Sequence, residues 1–159
     1  VKGAELVELK ECNTKEDPVR PELDNTFRRS YGRKIFGVKY KREIYAVMCF
    51  AYTNEIPKSV EELDIMSQDA HLQSTLRGQN VGKIAIAYTV WSKKKGGGKL
   101  IVKEVFNKIK KSNHLNRLVT LSPLTDMAYK FHIKNGAKLI SVNETTQNFE
   151  YKVIKNKKY

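Results

Sequence analysis

The sequence contains little cysteine and no long apolar run, and both shortages limit the classes of protein that it can encode. Its 159 residues include two cysteines, Cys12 and Cys49, which form neither a disulfide framework nor a zinc pattern. His71 and His114 have no metal-ligand spacing. The longest apolar run, Ile44 to Tyr52, is too short to span a membrane, and no signal peptide is visible. We therefore expect a cytoplasmic, non-membrane protein without a metal ion.

Basic residues outnumber acidic ones, 30 to 17, giving a formal net charge of +13. Such a charge attracts anionic ligands. It is spread along the chain, is not interleaved with aromatic residues in the manner of single-strand binders, and accompanies no DNA-reading motif. We interpret Lys152 to Lys158 as a solvated strand end or tail. The composition thus favours a small anionic ligand over nucleic acid.

The stretch from Ile84 to Lys111 organises the chain. Ile84 to Trp91 is apolar, β-branched and aromatic, which predicts a buried strand. A helical apolar face follows, formed by Ile101, Val102, Val105, Phe106 and Ile109. Three glycines lie between the strand and the helix, where unpaired helix N–H groups and the helix dipole attract an anion and glycine permits close approach.

The spacing of this turn is Lys93-x-x-Gly96-x-Gly98, which is neither a Walker loop nor a dinucleotide fingerprint. It resembles the pyrophosphate loop of the GNAT acyltransferase superfamily. The alternative is a flexible, solvated Lys/Gly hairpin, which the flanking strand and helix disfavour.

The remaining patterns complete an α+β domain. Helices are predicted within Pro21 to Arg33, from the capping box at Ser59, and from Thr125 to a stop at Gly136. Strands are predicted at Val1 to Lys10, Lys34 to Lys41, Glu43 to Tyr52, Arg117 to Leu121, and in KLISV and FEYKVI. Arg117 to Leu121 should lie parallel to Ile84 to Trp91 through a right-handed crossover. Gln68 to Gln79 is polar and irregular, its pattern assigns it to no element, and it is a candidate lining of a substrate entrance.

The order of these elements also resembles a GNAT domain, here a single acyl-CoA-binding domain over residues 1–159. The resemblance implies a mixed, mostly antiparallel central sheet with a splayed parallel strand pair and flanking helices. It also implies a coenzyme A thioester as cosubstrate, acetyl-CoA or malonyl-CoA. The pantetheine arm would lie along Thr89, Val90 and Trp91. The pyrophosphate would be held by Lys93, Lys94, Gly96, Gly97, Gly98 and Lys99.

Two departures from the family pattern concern catalysis. His132 occupies the place of the tyrosine that protonates the leaving thiolate in many members, and the strand from Ile84 carries no carboxylate as a base. The segments Thr120-Leu121-Ser122-Pro123 and Phe131-His132-Ile133-Lys134-Asn135-Gly136-Ala137 instead resemble segments of malonyl-CoA decarboxylases, whose catalytic pair is the matching serine and histidine. The long insertion and the helical domain of those enzymes have no counterpart here.

Three hypotheses follow. The first, favoured by the frequency of that reaction in the superfamily, is acyl transfer from coenzyme A to an unidentified amine, with His132 as the acid. The second is decarboxylation of malonyl-CoA by Ser122 and His132. The third is a non-catalytic basic binding module for nucleic acid or virion components on the same fold. His132 would then be a packed or exposed residue without chemistry, and Ser122 a turn or cap residue.

Overall fold

An eight-stranded sheet orders the part of the chain that the computed structural model describes, residues 2–78 and 82–155. The strands are β1 (Glu5–Leu9), β2 (Lys34–Tyr40), β3 (Glu43–Thr53), β4 (Ile84–Ser92), β5 (Arg117–Thr120), β6 (Ser122–Pro123), β7 (Lys138–Val142) and β8 (Thr146–Tyr151). The helices are α1 (Asn25–Arg29), α2 (Val60–Arg77), α3 (Gly97–Lys111) and α4 (Asp126–Lys134), with a 3₁₀ turn at Thr14–Glu16. None of these helices is both long and apolar enough to cross a membrane.

The strand order is β1-β2-β3-β4-β5-β8-β6, with β7 paired to β8. Among the described strands only β4 and β5 are parallel, in register from Ile84 opposite Arg117 to Ala87 opposite Thr120. The Leu121 N–H donates to the Ala87 carbonyl at 2.9 Å, and among the described strands β4 has no partner on that side beyond this point. The predicted α+β class, the mostly antiparallel sheet and the splayed parallel pair are confirmed.

The β2–β3 hairpin is also confirmed, and its turn explains the missing Asn-Gly signal. Lys41 and Arg42 both adopt left-handed backbone conformations, with φ of 51° and 68°. Such turns match the twist of the strands but usually select asparagine and glycine. Six consecutive residues of β3, from Ala46 to Ala51, are buried, as expected for a strand in the centre of a sheet.

Helices cover both faces of the sheet. On one face α3 packs Ile101, Val105 and neighbouring apolar residues against β2, β3 and β4. On the other, Phe27 of α1 and Leu63 of α2 pack against Ile86 and Tyr88. A bulge interrupts β4 because Ala87 pairs with Phe50 and Thr89 with Cys49, so Tyr88 has no partner in β3.

The structure corrects two sequence-based expectations, the first in kind and the second only in extent. Gln68 to Arg77 is not irregular but continues α2, which ends at Gly78 with φ of 61°. Its polar side chains bond within the helix, as in Gln73 to Asp69, and its weak amphipathicity hides the helical period. Gln79 lies outside the described residues. The helix predicted within Pro21 to Arg33 is reduced to α1, because Asp24 accepts from the Phe27 N–H and starts the helix there.

The packing at Gly97 generates a prediction about stability. A Cβ at this position would lie 2.0 Å from the Tyr45 carbonyl oxygen, which already accepts the N–H groups of Lys93 and Lys94 at 2.8 and 3.1 Å. Gly97→Ala must therefore push the turn away from β3, and we expect a loss of about 1–3 kcal/mol in urea unfolding. Lys103→Ala, on the exposed side of α3, should change stability by less than about 0.5 kcal/mol. Equal stability of Gly97→Ala and wild type would contradict the close approach.

Candidate active site

The separation of β4 from β5 opens a gap, and the side chain of Arg20 lies at its closed end. Nε of Arg20 donates to the Tyr88 carbonyl at 2.9 Å, and Nη2 donates to the Leu121 carbonyl at 3.1 Å. Tyr88 follows Ala87, and Leu121 is the residue whose N–H forms the last described bond between the two segments, so both carbonyls lie just past that bond. Arg20 therefore bridges the strands where they part.

Asp17 holds this arrangement from the loop after β1. Its Oδ1 accepts from the Thr89 hydroxyl at 2.7 Å and from the N–H groups of Val19 and Arg20 at 2.8 and 3.0 Å. Its Oδ2 accepts from Nη1 of Arg28 at 2.9 Å, and both side chains of this ion pair are fully buried. A carboxylate from a loop distant in sequence thus contacts β4. The sequence of β4 alone could not indicate this contact.

The glycine turn leaves several backbone donors without an internal partner. Gly96 precedes α3 with φ of 82°, a conformation that favours glycine. Among the described residues, no hydrogen bond engages the N–H groups of Gly96, Gly98 or Lys99. Gly98 also packs closely, since a Cβ there would lie 2.7 Å from the Phe131 ring. The turn can bind an anion through these N–H groups. Glycine at positions 97 and 98 is also explained by packing, because a Cβ at either position would lie too close to neighbouring atoms.

The lysines of the turn divide into two pairs. Lys93 lies 3.5 Å from Glu16, and Lys94 lies 2.9 Å from Glu43. Lys95 and Lys99 are exposed and form no ion pair with any described residue. Lys95 was not among the predicted ligands, and it offers an unpaired charge where Lys93 and Lys94 do not.

His132 is buried among aromatic rings over β8. Its Nδ1 lies 2.7 Å from the Tyr151 hydroxyl, and its ring centroid lies 5.0 Å from that of Phe149. Burial lowers the pKa of His132 to about 4, so the imidazole is neutral at neutral pH. Burial also raises the pKa of Tyr151, so its hydroxyl stays protonated.

Ser122 belongs to a different cluster. Its hydroxyl lies 2.8 Å from the Thr120 hydroxyl, whose oxygen also accepts the Phe149 N–H at 3.1 Å. Ser122 is 4% exposed, and no hydrogen bond joins it to His132. The two predicted catalytic residues therefore have separate partners, linked through β8.

A cavity of about 490 Å³ lies beside the end of β4, lined by residues including Cys12, Glu16, Trp91 and Lys93. A hydrogen bond from the Cys49 thiol lowers the pKa of Cys12 to about 7, so the fold brings together two cysteines that are distant in sequence. Both are free thiols. Within residues 2–78 and 82–155, no three His, Cys, Asp or Glu side chains group to hold a metal ion.

Comparison with known proteins gives the fold its name. The sequence matches no family model and no curated protein. Solved structures are similar, however, to nearly the whole chain. GphF, a GNAT-like decarboxylase in complex with isobutyryl-CoA, aligns with a TM-score of 0.67 at 8% identity over 93% of this chain and 98% of that one. The N-acetyltransferase PseH of Campylobacter jejuni, in complex with acetyl coenzyme A, aligns at 0.53 and 15% identity over 94% and 98%.

Malonyl-CoA decarboxylase from Agrobacterium vitis aligns with a TM-score of 0.57 at 16% identity. The match covers 80% of this chain but only 35% of that enzyme, so the present chain spans about a third of it. At these identities the likeness establishes the fold alone. The chain has the GNAT fold, and the predicted resemblance to GNAT domains and to malonyl-CoA decarboxylase is confirmed at that level.

The burial of His132 predicts a pH dependence of stability. Its pKa in the folded protein is about 4, below the ordinary value of 6.5, so the unfolded chain binds the proton more tightly. Stability from this group is complete above pH 6.5 and is lost as the pH falls towards 4, by on the order of 3 kcal/mol. Urea unfolding between pH 7 and 4 should show a steeper loss in wild type than in His132→Gln.

His71 is exposed and provides the matched control. His71→Gln should keep the wild-type slope. Identical slopes for wild type and His132→Gln would show that His132 is not held neutral by burial.

Proposed function

We propose that this chain is an enzyme acting on a coenzyme A thioester, and that it decarboxylates a malonyl-type acyl group rather than transferring an acyl group to an amine. The fold supports the first part, because similar structures include proteins in complex with acetyl coenzyme A and isobutyryl-CoA. The neutral, buried His132 supports the second part, that the reaction is a decarboxylation.

The thioester would lie in the gap between β4 and β5. The pantetheine arm would follow Thr89, Val90 and Trp91, whose edge on the β5 side has no described strand partner. Thr89 would contribute its backbone, since its hydroxyl is bonded to Asp17. The pyrophosphate would meet the free N–H groups of Gly96, Gly98 and Lys99, with Lys95 and Lys99 as unpaired cations.

The protonation state of His132 supports decarboxylation over acyl transfer. With a pKa of about 4, roughly one molecule in a thousand carries the imidazolium at pH 7, which makes His132 a poor acid for a departing thiolate. A neutral imidazole is instead a hydrogen-bond donor to a developing oxyanion. If the Tyr151 hydroxyl donates to Nδ1, the ring proton resides on Nε2, which would then be the donor to the thioester oxygen in this proposal.

Decarboxylation requires such a donor and no base. The bond between the carboxylate carbon and the α-carbon breaks, carbon dioxide leaves, and the electron pair delocalises onto the thioester oxygen. The α-carbon then takes a proton, for which the Ser122 hydroxyl is our candidate donor, and the serine oxygen regains a proton from solvent, so that one water-derived proton is consumed per turnover. The thioester itself stays intact.

Amine acyl transfer is the second candidate, supported by the fold likeness to PseH. It needs a group that deprotonates the acceptor. β4 (Ile84–Ser92) contains no carboxylate, and Asp17, which reaches Thr89, is already paired with Arg28. The lack of a free carboxylate at β4 therefore supports decarboxylation rather than acyl transfer as our first proposal.

The first prediction of this proposal concerns binding. Isothermal titration with acetyl-CoA should give a dissociation constant that rises as NaCl increases from about 0.05 to about 0.5 M, because screening weakens phosphate–lysine attraction. Lys95→Gln and Lys99→Gln should each weaken binding roughly two- to fivefold. Lys103→Gln, further along α3, should not. Absence of binding at low salt would reject the enzyme proposal and favour the basic binding module, to be examined by a gel shift with nucleic acid.

The second prediction concerns turnover. Incubation with malonyl-CoA and no acceptor should yield acetyl-CoA and carbon dioxide, followed by chromatography. His132→Gln and Ser122→Ala should each reduce this rate about 10²-fold or more, because each removes a group acting on the enolate. His71→Gln should leave it unchanged. Release of free coenzyme A from acetyl-CoA only when a polyamine or peptide amine is added would establish acyl transfer instead.

A further inference from the structure

The charges buried beneath the β4–β5 gap do not balance. Arg20, Arg28 and Asp17 are 7%, 0% and 1% exposed, so two guanidinium groups share a region with one carboxylate. Removing a charge from water is costly unless an opposite charge compensates it. The cluster therefore has an excess of one positive charge.

That excess belongs to Arg20. Asp17 forms its ion pair with Arg28, and its other oxygen is occupied by the Thr89 hydroxyl and two backbone N–H groups. The Arg20 guanidinium bonds only to the carbonyls of Tyr88 and Leu121. Its Nη1 bonds to no described residue. Burial lowers the pKa of Arg20, while the nearby carboxylates of Glu22 and Asp17, neither of which bonds to its guanidinium, act in the opposite direction.

The position of this guanidinium indicates what its partner is. It lies at the closed end of the gap, beside Thr89 and Leu121, where the pantetheine arm of the proposed substrate would end in its acyl group. An acetyl group offers a guanidinium no negative charge. A carboxylate on the acyl group does, and guanidinium–carboxylate pairing is both strong and directional.

We propose that Arg20 is the specificity-determining residue that binds the free carboxylate of a carboxyacyl-CoA, such as a malonyl thioester, and so selects it over an unsubstituted acyl-CoA. This inference rests on the proposed binding of a coenzyme A thioester in the gap. It assigns Arg20 to recognition of the acyl group and not to the bond-breaking step.

The experiment compares the binding of malonyl-CoA and acetyl-CoA by isothermal titration. Wild type should prefer malonyl-CoA about tenfold or more, the value of a hydrogen bond between charged groups. Arg20→Gln should remove the preference while leaving acetyl-CoA binding in place, and Arg20→Lys should retain part of it. Arg29→Gln, an exposed arginine in α1, is the matched control and should behave as wild type.

Cys12→Ser tests a further source of compensating charge in the cluster, because the Cys12 thiol lies near Arg28. It should keep the preference; loss of the preference in this variant would overturn the inference. Thermal unfolding of each variant separates misfolding from lost recognition, and if Arg20→Gln does not fold, wild type and Arg20→Lys decide.

The inference also fails if wild type binds both thioesters equally, or if Arg20→Gln weakens both by the same factor, which would indicate a structural role. Those results leave coenzyme A binding intact. Failure to bind either thioester would instead reject the proposed function itself.

Discussion

The candidate site depends on the hydrogen bonds and the ion pair that the Asp17 carboxylate forms. It fixes the loop after β1 onto β4 through Thr89, and it fixes α1 beneath the sheet through Arg28. Because all of these groups are buried, loss of the carboxylate would leave an unpaired guanidinium and several unbonded donors, a type of change that costs roughly 3–5 kcal/mol. The same loop carries Arg20 into the gap, so one ion pair determines both the stability of the loop and the charge at the end of the gap.

The net positive charge of the chain says less about where an anion could bind than the local arrangement of the charged side chains does. Lys93 and Lys94 are partly neutralised by Glu16 and Glu43, which leaves the turn with few free cations despite its lysine-rich sequence. Exposed ion pairs of this kind contribute little to stability, but they reduce the charge available to a ligand. The specific positive sites are therefore the N-terminus of α3, at the surface, and Arg20, in the interior.

Local patterns predicted much of the fold. The strand, glycine turn and helix from Ile84 to Lys111 were recognisable because each has its own period and the turn residues separate them. The splay of β4 followed from resemblance to a family, and not from these residues. Helix α2 was missed beyond Gln68 because its polar side chains bond along the helix and obscure the pattern.

The contacts of the candidate site were harder to predict from the sequence than the fold was. His132 and Ser122 were named through short motifs, but their partners, Tyr151 and Thr120, follow from how β8 pairs. Asp17 and Arg20 lie in a loop without a motif, and their contacts with β4 and β5 span about half the chain or more. Nothing in the sequence alone shows that Arg20 is buried or that Asp17 forms its ion pair with Arg28 and not with Arg20.

The bulge at Tyr88 has a consequence for the alternation of side chains along β4. Ile84 and Ile86 face α1 and α2, and in a regular pleat Thr89 and Trp91 would face α3. The extra residue at the bulge reverses which face of the sheet each later side chain of β4 points to. Thr89 therefore bonds to Asp17, and Trp91 packs on the α1 side. β4 can lose one residue at the bulge without inverting any side chain, whereas a deletion elsewhere in the strand would exchange its two faces. Tyr88 nevertheless has a second contact that a deletion would alter, since its carbonyl accepts the hydrogen bond from Arg20.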